Sequence, residues 1–91
     1  MVILISYELR QPGRDYSNLY KAIEGISGIW SHPLTSHWMV QTALSPQQVW
    51  EHLAPHIDKN DSMLVTRISN SPSYSGWLAQ TIWNWMAARA Y

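Results

Sequence analysis

The sequence predicts an α+β domain with an antiparallel sheet, and three observations indicate it. The chain opens with a mostly aliphatic and β-branched run, 2–9, which leads through Arg10 and Gln11 into a Pro-Gly pair. Two short strand-like runs, 29–34 and 37–44, follow each other with only Thr35 and Ser36 between them, as in a hairpin. Apolar residues at helical spacing lie between the first strand and the hairpin, and again between the hairpin and a fourth strand.

The first strand carries apolar residues on both faces. Val2 and Leu4 point to one side, and Ile3, Ile5 and Tyr7 point to the other. A strand of this kind needs cover on both of its faces.

The first helix is predicted to begin at Asp15, whose side chain suits an N-cap. Gly25 and Gly28 end it. Its apolar positions recur at a helical period and form one stripe: Tyr16, Leu19, Tyr20, Ile23 and Ile26.

The second helix has the strongest local signal in the chain. Ser45 suits the N-cap, Pro46 the first helical position and Gln48 the partner residue of a capping box. Val49, Trp50, Leu53 and Ile57 would then lie on one face. Pro55 is expected to kink or shorten the last turn.

A turn at residues 58–61 leads into a fourth strand over 62–69. A loop at 70–76 precedes a final helix over about 76–89. On a helical projection Trp77, Ile82 and Trp85 share one face, and Trp83 lies on the other. A helix that is apolar nearly all round is expected to be buried or covered by a partner.

The predicted order, β-α-β-β-α-β followed by a helix, is typical of a ferredoxin-like antiparallel sheet. We expect a single domain over residues 1–91, with its core in 1–70. Both crossover helices should cover one face of the sheet. The other face, to which Val2 and Leu4 point, needs the last helix or a second subunit.

Composition excludes several classes of function. Six basic and six acidic residues cancel, so no long-range field draws in nucleic acid. The chain has no cysteine, which rules out disulfides, thiolate zinc sites and thiol nucleophiles. No apolar stretch is long enough for a membrane span, so we expect a cytoplasmic protein without membrane contact. Six Trp and five Tyr are many for a small core, and some are expected between subunits.

Several segments carry a resemblance to known proteins. The opening run, residues 1–9, and the start of the fourth strand, 61–65, resemble the CRISPR-associated protein two family. Residues 7–16, 34–38 and 56–61 are similar to small uncharacterised bacterial proteins grouped beside that family. The resemblance spans about residues 1–70 and implies a ferredoxin-like homodimer whose sheets face each other. It also implies a metal-binding carboxylate at the end of the first strand, where this chain has Glu8 instead of the family's aspartate. The Trp-rich last helix stands where the family has a short strand.

Glu8 is the one carboxylate at a predicted strand end and is the candidate catalytic and metal-binding residue. It would hold Mg²⁺ or Mn²⁺ together with the second Glu8 across a dimer axis. The alternative is a carboxylate that pairs with Arg10 or Arg67.

The basic and histidine side chains offer further candidates. Arg10, Arg14 and Arg67 could bind phosphates, or could be solvated charges. His52 and His56 stand four residues apart on the second helix, a spacing used by zinc sites, but no third ligand is identifiable. A surface or interface histidine pair is the alternative.

Three functions follow as hypotheses. The leading one is a non-catalytic homodimeric scaffold or interaction module, in host defence or a mobile element, with Val2, Leu4 and Trp83 in the dimer interface. It needs no cofactor, and its further partner would be a protein. The second is a metal-dependent endoribonuclease that uses Glu8. The third is a protein that binds RNA or DNA without cutting it.

Overall fold

The computed structural model describes residues 1–11, 13–69 and 74–91. The predicted Pro-Gly turn at Pro12 and most of the predicted loop at 70–76 therefore lie outside the described residues. The elements in chain order are β1 (Val2–Glu8), α1 (Ser17–Glu24), β2 (Trp30–Leu34), β3 (His37–Gln41), α2 (Pro46–Leu53), β4 (Ser62–Ile68) and α3 (Gln80–Ala87).

The strands form one four-stranded antiparallel sheet in the order β2-β3-β1-β4. The α+β prediction and the predicted element order are confirmed, and the sheet is compatible with a ferredoxin-like arrangement. β1 pairs along its whole length with β4, from Val2 opposite Ile68 to Glu8 opposite Ser62. The end of β1 therefore lies beside the beginning of β4.

The two crossover helices cover one face of the sheet, as predicted. Ile3 and Ile5 of β1 are fully buried there. They belong to one apolar cluster with residues of α1 and α2, among them Leu19, Ile23, Val49 and Leu53. Tyr7 lies in the same cluster, where its hydroxyl donates to the Thr35 carbonyl at 3.1 Å and accepts from Trp38 Nε1 at 3.0 Å.

The last helix covers part of the opposite face. Met86 of α3 is 4% exposed and packs in a second cluster with Val2 and Met39. Half-buried Trp83 and Trp85 pack against the same cluster. We predicted that either the last helix or a second subunit would cover this face, and the last helix covers it over Val2.

β3 is more buried than its alternating sequence predicts. The pattern indicated a half-buried strand, but Trp38, Met39 and Val40 are each 3% exposed or less. β3 lies between β2 and β1, and apolar clusters lie on both of its faces. An interior strand in a sheet covered on both sides loses the alternation of wet and dry positions.

The local sequence signals predicted the start of α2 more accurately than the start of α1. The predicted capping box at Ser45 and Gln48 is present, and α2 ends at Leu53 before a 3-10 turn that contains Pro55. The first helix begins later than predicted. Asp15 accepts a hydrogen bond from the Ser17 N–H at 2.9 Å, but the N-cap position falls on Tyr16.

The last helix is shorter than the predicted 76–89. It begins after Ala79, which supplies no side-chain cap, and Gly76 has a φ of 157°. Trp77 therefore lies before the helix and is 98% exposed, so the prediction that it shares a helical face with Ile82 and Trp85 was wrong. In the described residues, no helix has the length and hydropathy needed to cross a bilayer.

Candidate functional site

Glu8 lies at the end of β1, where the covered strand meets its loop. Its side chain is 71% exposed, and its Oε2 accepts a hydrogen bond from Arg10 Nη2 at 3.0 Å. Of the two arginines that the sequence offered as partners, the structure pairs Glu8 with the nearer one. Each side chain of this pair is well exposed, so the ion pair itself contributes little to stability.

Arg10 is held by more than Glu8. Its Nη1 donates to the Asn60 carbonyl at 2.9 Å and to Ser62 Oγ at 2.7 Å. Asn60 lies in the loop before β4 and Ser62 is the first residue of β4, and both lie beside the end of β1 because the two strands are antiparallel neighbours. The guanidinium therefore links two loops and is oriented by three separate acceptors.

Asp61, in the loop before β4, links the same two loops through its carboxylate. Its Oδ1 accepts from the Arg10 N–H at 2.7 Å, and its Oδ2 accepts from the Asp58 N–H at 2.8 Å. The Tyr16 hydroxyl lies 2.9 Å from both oxygens. These donors make the Asp61 carboxylate a structural acceptor shared by three segments of the chain.

The contacts between Asp61 and Tyr16 and their neighbours shift the pKa values of both side chains. Burial opposes the charge on Asp61, but the hydrogen bonds from Arg10, Asp58 and Tyr16 outweigh it and lower the pKa of that carboxyl. Burial and the bond to Asp61 raise the pKa of the Tyr16 hydroxyl. Asp61 therefore remains ionised, and Tyr16 protonated, over the neutral range.

Arg14 and Arg67 occupy different parts of the molecule. Arg14 pairs with Asp58 at 3.2 Å and lies over the Tyr16 ring, 5.2 Å from its centroid. Arg67 lies near the far end of β4, where its Nη2 donates to the Tyr91 carbonyl at 2.8 Å. Arg67 lies five positions along β4 from Ser62, which binds Arg10, and this is a span of roughly 17 Å. The three predicted phosphate-binding arginines therefore form one close pair and one distant member.

Two open concavities border Glu8. One, of about 310 Å³, is lined by Ser6, Tyr7, Glu8, Ser62, Met63 and Leu64. The other, of about 470 Å³, is lined by Tyr7, Glu8, Leu9, Tyr20, Thr35 and Ser36. Both are shallow surface features, and Glu8 is the one carboxylate that either contains.

His37 lies near Glu8 on the α3 side of the sheet, a proximity that the sequence reasoning missed. It stands opposite Ser6 across the β1–β3 pair, with Ser6 Oγ 3.2 Å from its Nε2 and Ser36 Oγ 3.2 Å from its Nδ1. The cross-strand register was the information needed to find it, since Ser6 and His37 lie far apart in sequence.

The other histidine candidates do not assemble. α2 ends at Leu53, so His56 falls in the 3-10 turn and leaves the helical face of His52. His52 Nε2 lies 3.1 Å from the Ala22 carbonyl of α1. Across residues 1–11, 13–69 and 74–91, no three His, Cys, Asp or Glu side chains group as metal ligands would.

The predicted interface residues differ in exposure. Val2 is fully buried within its own chain, and its place in a dimer interface stays a prediction. Leu4 is half-buried on the same face. Trp83 is also half-buried, with its ring stacked on Tyr74 at a centroid distance of 6.3 Å.

The carboxylates of residues 58–61 were predicted only as part of a turn. Asp58 and Asp61 lie between a helix and a strand, and that strand begins where β1 ends. Antiparallel pairing of the first and fourth strands would have brought these aspartates next to Arg10 and Arg14.

No family model matches this chain, and no curated protein matches it.

Proposed function

We propose that this chain is a homodimeric interaction module without catalysis of its own, similar in role to a scaffold of the CRISPR-associated protein two family. The observation that carries the non-catalytic part is the state of Glu8. Its carboxylate is bonded to Arg10, and Arg10 is in turn anchored to the Asn60 carbonyl and Ser62 Oγ. A metal ion at Glu8 would have to displace this guanidinium from its carboxylate.

The fold supports the same proposal, and we assign it to the ferredoxin-like class. The sheet order β2-β3-β1-β4 leaves one strand between the members of each crossover pair, β1 with β2 and β3 with β4. The helices of both crossovers pack on the same face. This order is compatible with the split βαβ arrangement of ferredoxin-like domains.

The surface that we propose for a further protein partner, separate from the contact that forms the homodimer, is the part of the opposite face that α3 leaves open. We call it the open half-face, and it consists of Ser6, Glu8, Leu34, His37 and Leu64. Leu64 is 64% exposed and Leu34 is 49% exposed, while the other members are polar or charged. Exposed leucines with polar neighbours are typical of surfaces that bind another protein. A cytoplasmic location and a host-defence or mobile-element context belong to the same proposal.

Sedimentation equilibrium at micromolar concentration tests the dimer. We expect the mass of two chains. The weight-average mass should fall toward that of one chain when the protein is diluted below the dissociation constant. A monomer across the whole range would remove the proposal.

An assay with labelled RNA in Mg²⁺ or Mn²⁺ tests the absence of catalysis. We expect no cleavage by the purified chain. Cleavage that disappears in Glu8→Ala but persists in Glu51→Ala, an exposed glutamate of α2, would support the metal-dependent endoribonuclease instead. Binding without cleavage, with an affinity that falls steeply with salt and is weakened by Arg10→Ala, would favour the nucleic-acid-binding alternative.

A further inference from the structure

The sheet has two edges, β2 and β4, and β2 is protected against pairing. Its five residues include Pro33, which has no N–H to donate. Its pairing with β3 shifts register between Ser31 and Leu34. A short strand with a proline and an irregular register is a poor template for another strand.

The β4 edge lacks each of these protections. β4 has seven residues without proline, and its register with β1 is unbroken. In the described parts of the chain, no loop or helix hydrogen-bonds to the backbone on its outer side. Leu64 near its middle is 64% exposed, and its one charged residue, Arg67, lies near the end. An edge of this kind exposes a row of N–H and C=O groups that favour pairing with another strand.

The surface beside this edge has room for side chains of an added strand. An open groove of about 290 Å³ runs between α2 and β4 and is lined by Pro46, Gln47, Trp50, Met63, Leu64 and Val65. Its walls are mostly apolar in residue type. A strand that extends the sheet beyond β4 would set its inward side chains against Trp50.

We infer that β4 pairs antiparallel with β4 of a second copy, with the two-fold axis at Leu64, to give one continuous sheet through both protomers. This inference rests on the proposed homodimer and names the surface that forms it. Pairing of a strand with its own copy is isologous, so one patch supplies both sides of the contact.

The faces and charges of the strand favour this register. Residues directly opposite each other in an antiparallel pair point to the same face, so an axis through a residue keeps both layers of each protomer aligned. An axis at Leu64 sets Met63 opposite the partner's Val65 and Ser62 opposite the partner's Thr66. It also places Arg67 beside the start of the partner's β4, near the negative charge of the partner's Asp61. An axis at Met63 would instead set Arg67 opposite the partner's Lys59, and like charges in that position destabilise a sheet.

A single cysteine tests this register, because the natural chain contains none. Leu64→Cys brings two thiols together on the axis, at a Cβ separation of about 4.5–5.5 Å. We expect copper phenanthroline or a short bismaleimide to cross-link this variant at least tenfold faster than Leu34→Cys, the matched control on the other edge strand. Equal rates for the two variants would overturn the inference.

A second pair of variants separates this inference from the proposed function. Leu64→Lys should raise the dimer dissociation constant at least tenfold, whereas Leu34→Lys should leave it within about twofold. Both residues are exposed, so far-UV circular dichroism should show an unchanged fold. If the chain is dimeric but insensitive to Leu64→Lys, the edge inference fails and the dimer proposal stands. If the natural chain is a monomer, both fail.

Discussion

Asp61 connects three segments of the chain through two oxygen atoms. It accepts from the backbone of Arg10 after β1, from the Tyr16 hydroxyl before α1, and from the backbone of Asp58. Hydrogen bonds to an ionised acceptor are stronger than those between neutral groups. This one carboxylate therefore fixes how the loops at one end of the sheet lie against each other.

Replacing Asp61 by Asn should lower the free energy of unfolding by about 1–2 kcal/mol at pH 7, because an amide offers one acceptor oxygen in place of two. The folded-state pKa of Asp61 is lowered, so its charge stabilises the fold above the ordinary aspartate pKa of about 3.9 and that stability is lost as pH falls through the lowered value. Urea unfolding from pH 7 to pH 3 should show the deficit of the variant shrinking as the solution becomes acidic.

Asp15→Asn is the matched control for this measurement. The backbone hydrogen bond from Ser17 also lowers the pKa of Asp15, but this carboxylate binds a single segment. Its variant should leave the free energy of unfolding close to that of the natural chain, since Asn also serves at helix starts. Equal losses in the two variants would show that Asp61 has no special connecting role.

At the candidate site, the sequence predicted some residues and missed others. Glu8 was predicted at a strand end and lies there, and its pairing with Arg10 was one of the two alternatives offered. Asp61 and His37 were not predicted as members, because each joins the site through strand register with a distant residue. Tertiary pairing of this kind leaves no mark in the local sequence around either residue.

At the scale of elements, α2 and α3 show opposite relations between sequence and structure. α2 carries its own start signal in the Ser45–Gln48 capping box, and the predicted start is confirmed. α3 has no capping side chain and begins three residues after the exposed Trp77. Its position depends on packing over Val2 and Met39, so its limits could not be predicted from the apolar pattern alone.

Met86 anchors α3 to the sheet. Met86→Ala should lower the free energy of unfolding by about 2–3 kcal/mol. The side chain is 4% exposed, and its removal leaves a void above Val2 and Met39. Trp77→Ala, in the same terminal region but 98% exposed, should change stability by less than about 0.5 kcal/mol. Urea denaturation measures both. A larger loss for Trp77→Ala than for Met86→Ala would contradict this packing.

At the scale of the whole molecule, the prediction of element order succeeded because hairpin and helix signals alternate clearly along the chain. The prediction that one sheet face needs cover was also sound, and α3 supplies that cover over Val2. The interface residues were harder to predict. A sequence indicates that an apolar residue needs burial, but it does not indicate whether the chain itself or a second copy buries it.

β1 pairs with β3 on one side and with β4 on the other, although both partners follow it in the chain. During synthesis this apolar strand is made first among the four and stays unpaired until the later strands emerge. Pairing of residue 8 with residue 62 closes a long loop, and contacts between such distant residues slow folding. Chains stalled before β4 would expose one edge of β1, and these species should be the ones most prone to aggregate.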